Sequence, residues 1–141
     1  MPEEITSAEA LLELAGRDTL NAIPVLILLH AIDELFPREN SRLWKHLTRS
    51  PYESLWIDFE AMRSDFGFSG SNAALIDLAH DLWNGDVRSS MNDVMCRTDL
   101  RRRRLVVEAL KAKLEGGSGP VSRNAVERLR NMKKGGQEGI E

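Results

Sequence analysis

Asp77, His80 and Asp81 stand at the i, i+3 and i+4 spacing that gathers two carboxylates and an imidazole on one face of a helix, and Asn84 extends that face. Such a set can converge on one cation. A metal centre would need further donors, for which His46, Asp93 and Asp99 are the candidates. His46 lies four residues before a Ser50-Pro51 break. A solvated polar face explains the same residues, because Leu75, Leu78, Ala79, Leu82 and Trp83 form a buried stripe opposite them. The expectation is therefore no metal, no cofactor and no catalytic residue. His30 and Glu34 also pair at i, i+4, but a general base needs a nucleophile or substrate pocket within reach, and the sequence offers none. Cys96 precedes Arg97 and a helix start, both of which lower a thiol pKa. With no histidine beside it, Cys96 reads as a small packed residue.

The adjacent pair His80-Asp81 resembles that of metal-dependent phosphohydrolases of the HD class. The resemblance is one dipeptide, and Leu82-Trp83 replaces the glycine usual just past the pair. It implies a phosphohydrolase-like enzyme around His80-Asp81, the third reading of this chain.

The densest charge cluster is Arg101, Arg102, Arg103 and Arg104. On a helical wheel Arg101 and Arg104 share the outer side with Glu108, Lys111 and Glu115, and Arg102 flanks them. Arg103 falls within the apolar stripe of Leu100, Val106, Val107, Leu110 and Leu114. An arginine there must snorkel to the helix start, meet a carboxylate, or mark a stripe that faces a ligand. Arg128 and Arg130 add charge further on, and Lys and Arg can contact phosphates. Residues 119 to 129 resemble the opening of the scaffold helix in some winged helix-turn-helix regulators. The recognition helix of that pattern has no room here, because only Lys133-Lys134 and a Gly-rich tail follow.

The elements that carry these residues read as helices, since no segment sustains an alternation of apolar and polar residues. Thr6 and Glu9 have capping-box spacing, and Gly16 ends the first helix. A second helix, beginning near Pro24 and running to Phe36, is apolar nearly all round and so is central to the bundle. Residues 38 to 48 form a short third helix. Ser50-Pro51-Tyr52-Glu53 reads as a helix start, with Tyr52, Leu55, Trp56, Phe59, Met62 and Phe66 as one buried stripe. Ser71 opens a helix closed by Asn84-Gly85, a short helix covers 90 to 96, and another runs from Thr98 to Leu114.

The predicted fold is all-α: a compact bundle of six to seven short helices over residues 5–115, a Gly-rich linker over 116–121, and a flexible basic amphipathic arm over 122–141. One cysteine excludes an internal disulfide framework, and no cationic leader with an apolar run opens the chain, which points to the cytoplasm. The longest apolar stretch, residues 23 to 32, is interrupted by His30 and is too short to span a membrane. The net charge of -3 hides a split: residues 1 to 96 carry 7 Lys and Arg against 16 Asp and Glu, whereas residues 97 to 141 carry 12 against 6. The expected function is that of a small non-catalytic module, adaptor or regulator, which binds a partner protein through Arg101, Arg102, Arg103, Arg104, Arg128 and Arg130. The alternative is a nucleic-acid-associated protein using the same arginines, although a pI near 5.7 is low for one.

Overall fold

A computed structural model describes residues 3–5, 7–66, 70–85 and 89–138, with side chains of the last helix described to residue 132. In chain order the elements are β1 (Glu3–Glu4), α1 (Ala8–Ala15), α2 (Thr19–Ile32), a 3-10 turn (Arg42–His46), β2 (Leu47–Arg49), β3 (Leu55–Ile57), α3 (Phe59–Phe66), α4 (Gly70–Asn84), α5 (Met91–Arg97), α6 (Leu100–Leu114) and α7 (Pro120–Glu138). The protein is thus mostly helical, as the periodicity predicts. Among the described residues no helix is long and apolar enough to cross a membrane.

The axis of the fold is α2. Its residues from Ala22 to Leu29 are all buried, which a helix apolar on every side requires, and α1, α4, α6 and α7 pack around it. It begins five residues earlier than Pro24 suggests. Pro24 sits inside the helix, so its missing N–H leaves the Leu20 carbonyl without its helical donor, and Leu20 lies at the surface where water can replace it. At the start of α1 the cap is Ser7, whose hydroxyl accepts the Ala10 N–H; Thr6, the expected cap, lies outside the described residues.

The clearest departure from an all-α fold is a three-stranded antiparallel sheet in the order β1-β2-β3, where helices were expected. Leu47 pairs with Ile57, Thr48 with Trp56 and Arg49 with Leu55, and β1 adds to the far side of β2. The Ser50-Pro51-Tyr52-Glu53 segment is the hairpin turn. The Ser50 hydroxyl accepts the Tyr52 N–H, the Glu53 N–H bonds the Ser50 carbonyl, and Glu53 takes a positive φ of 57°. A serine-proline start supports a turn as readily as a helix, because both use the same side-chain-to-backbone bond. The expected stripe holds only in part: Leu55, Phe59 and Met62 are buried, while Trp56 is 58% and Tyr52 90% exposed. Helix begins only at α3, where the Asp58 carboxylate caps the Ala61 N–H.

The second departure is at the C-terminal end. Gly116 and Gly117, both at positive φ, close α6 as a Schellman turn, with Gly117 N–H on the Ala112 carbonyl and Gly116 N–H on that of Lys113. Gly117 is buried against the backbone of Thr19 and Leu20, so tightly that a β-carbon there would overlap the Thr19 carbonyl. Glu115 then caps the next helix, accepting the N–H groups of Val121 and Ser122 at 3.1 and 3.0 Å. Although burial raises its pKa, these bonds together with the Ser122 hydroxyl and the charge of Arg123 hold the Glu115 carboxyl below the usual carboxylate range. The residues read as a linker are therefore a tight connection, and α7 docks on α1, α2 and α6 with Ala125 and Leu129 buried.

Candidate functional site

Helix α6 decides what the surface offers. Its core-facing residues are Val106, Ala109 and Ala112, small side chains that let α6 lie close against α2. Lys113 also turns inward, donating to the Asn21 side-chain carbonyl at 2.7 Å and the Leu82 carbonyl at 3.0 Å. The apolar stripe expected inside is therefore split. Leu100 is 59% and Val107 40% exposed, and Leu114 is also at the surface.

Leu100 and Val107 form the floor of a groove of about 600 Å³ between α6 and α7, completed by Met95 of α5 and Val121 of α7. Arg103, Arg104 and Lys111 line it from α6, with Glu108, and Asn124 lines it from α7. Arg103 reaches back toward the helix start, its Nε donating to the Thr98 carbonyl at 2.8 Å. That is snorkelling, and it leaves the guanidinium at the groove's edge. The side chains of Arg104 and Lys111 make no hydrogen bond or ion pair with any described residue. The groove is thus apolar below and cationic along one wall.

The other expected site arginines are engaged elsewhere. Arg101 lies 3.7 Å from Glu34 and donates to the His30 carbonyl. Arg102 donates to the Ser71 hydroxyl at 2.9 Å. Arg128 forms a two-pronged pair with Glu108, Nη1 on Oε2 at 2.7 Å and Nη2 on Oε1, clamping α7 to α6. Arg130 pairs with Glu127 at 3.1 Å. The expected arginines thus lie in three settings: Arg101, Arg102 and Arg128 bridge elements, Arg130 pairs within α7, and Arg103 and Arg104 line the groove together with Lys111. Lys111, Leu100, Val107, Met95 and Val121 belong to the groove but were not among the expected site residues. Only Val107 and Leu100, sharing a stripe with Arg103, carried a signal for it in the sequence.

On the polar face of α4, Asp77 and His80 meet one guanidinium while Asp81 turns to Ser89. Asp77 accepts from Arg63 at 3.0 Å, His80 Nδ1 accepts from the same guanidinium at 2.9 Å, and Asp81 accepts the Ser89 N–H at 2.8 Å. His46 Nε2 bonds Asp65 at 2.7 Å, Asp93 pairs with Arg97, and Asp99 caps α6. Among the described residues no group of three His, Cys, Asp or Glu side chains is placed to hold a metal. Cys96, expected to pack inside, is exposed on α5 because Val94 takes the buried position of that helix. His30 donates to the Phe36 carbonyl through Nδ1–H, and its burial, reinforced by the charges of Arg101 and Arg128, pushes its pKa below the usual histidine value.

Comparison with protein-family models, with curated proteins and with solved structures gives no match.

Proposed function

We propose that this protein is a non-catalytic interaction module whose α6–α7 groove receives an acidic, amphipathic segment of a partner protein. The observation that carries this reading is the pairing of exposed Leu100 and Val107 with the unpartnered cations Arg104 and Lys111 in one concave surface. An isolated exposed leucine needs no explanation, but a groove with an apolar floor and a wall where cations outnumber the one carboxylate, itself paired with Arg128, suits a helix that lays apolar anchors inward and acidic residues toward the arginines. Exposed ion pairs within the fold contribute only about 0 to 1 kcal/mol each, so leaving Arg104 and Lys111 unpaired costs little stability.

The test is a titration of the full chain with a fluorescent amphipathic peptide bearing leucines at i, i+3, i+7 and glutamates between them, run beside a duplex oligonucleotide. Saturable peptide binding that weakens with salt, and that is lost in an Arg104→Glu, Lys111→Glu double variant of unchanged melting temperature, is the expected result. Binding of the oligonucleotide with none of the peptide would transfer the groove to a nucleic-acid role.

A further inference from the structure

A second cleft, independent of the groove, has the opposite chemistry. It opens where β3, the start of α3 and the end of α4 meet, and it encloses about 260 Å³. Its walls are Trp56, Phe59, His80 and Trp83, and its carboxylates are Asp58 and Glu60. Phe59 and His80 stack with ring centroids 4.5 Å apart and planes 11° apart, so the imidazole covers the buried phenyl ring, and Trp56 supplies the exposed aromatic face.

The electrostatics of this wall are set by Arg63. Its guanidinium can only donate, so His80 Nδ1, which it meets at 2.9 Å, accepts. The charge of Arg63 is itself taken up by Asp77 at 3.0 Å and Glu60 at 3.3 Å. Two carboxylates, those of Glu60 and Asp77, thus hold the guanidinium, and Asp58 adds a third carboxylate at the cleft. The Asp58 carboxylate offsets the positive end of α3 by capping Ala61. Trp83 belongs to the last turn of α4, where the Leu82 carbonyl is taken by the Lys113 ammonium.

The indoles of Trp56 and Trp83 and the carboxylates of Asp58 and Glu60 favour a cation, and the aromatic share favours one weakly hydrated enough to leave water for a ring face. We infer that this cleft binds the alkylated ammonium head group of a small molecule. A recess of about 260 Å³ fits a head group and a short stem. Trp56, 58% exposed, stands at its mouth, a position that costs the fold little and serves a ligand.

The chain has three tryptophans, and Trp44 lies apart, packed on Phe36 with its indole N–H on the Arg38 carbonyl. Indole emission of the full chain, titrated with choline chloride at constant ionic strength, therefore reads the cleft directly. The expected outcome is a saturable change absent with sodium chloride, at least about tenfold weaker with the uncharged tert-butyl analogue of choline, and retained in Trp44→Phe. Trp56→Ala should remove it and Glu60→Gln should weaken it, both with unchanged melting temperature. Equal binding of the uncharged analogue would overturn the proposal, as would the absence of any saturable response. A response to a trimethyllysine peptide with none to choline would overturn the small-molecule assignment.

Discussion

The groove between α6 and α7 and the cleft between β3 and α4 are both open and both partly apolar, yet they treat charge in opposite ways. In the groove two cations, Arg104 and Lys111, face solvent without partners. Beside the cleft, Arg63 is bonded to two carboxylates and an imidazole. The difference shows that a run of charge in the sequence says little about surface potential. Four consecutive arginines yield one free side chain, because three of them bond Glu34, Ser71 and the Thr98 carbonyl. Scattered residues from β3, α3 and α4 yield the more acidic recess.

That contrast depends on α7 being docked, so the sharpest way to break it is at Gly117. Gly117→Ala should cost about 3 kcal/mol or more in urea unfolding, since it combines a positive φ of 79° with overlap on the α2 backbone. Gly116→Ala, at φ 73° with open space around it, should cost only about 1 kcal/mol. Equal effects would mean that the Gly117 contact does not hold α7 in place.

Next in size, Arg128→Ala should destabilise by about 1 to 2 kcal/mol, between the values for exposed and buried pairs, because it strands a partly buried Glu108 at the groove wall. Hydrogen exchange should show α7 opening first in this variant. If stability were untouched, the pair would be a surface ornament and the cation free for ligands.

A smaller effect concerns pH. The pKa of His30 is lowered in the folded state, so its neutral form is favoured there and its contribution is complete above the unfolded value of about 6.5. That contribution declines as pH falls through about 6.5 toward the lower folded-state pKa. A melting curve series should show this decline in the parent and its absence in His30→Gln. The smallest effect is expected at the cleft mouth, where Trp56→Ala should change stability by no more than about 0.5 kcal/mol. A larger loss would make Trp56 part of the fold, not of a site.

Several elements are legible in the residues alone. Asn84-Gly85 ends α4 where expected, with Gly85 at positive φ, and Ser90 caps α5 through the Asp93 N–H. The all-round apolar composition of α2 predicts its central place, because such a helix has no face fit for water. The hairpin was not legible, since Ser-Pro-Tyr-Glu offers the same local bonds to a helix and to a turn, and the pairing of β2 with β3 was decided by burial of Leu47, Leu55 and Ile57 together. Nor was the groove, whose floor consists of residues on a stripe that periodicity assigns to the core.

By itself the sequence determined most of the helical segments outside the hairpin, where glycines end several of them, and that the basic residues crowd into the last third. Those outcomes rest on local bonds and on side-chain period, which a chain carries in any context. Tertiary structure decided which half of the α6 stripe is buried. Ala109 and Ala112 allow closer approach to α2 than Leu100 and Val107 would, so the larger apolar side chains were left outside, beside the arginines. It also decided that the Gly-rich segment is a turn, because only the backbone of Thr19 and Leu20, almost a hundred residues away, gives Gly117 something to pack against.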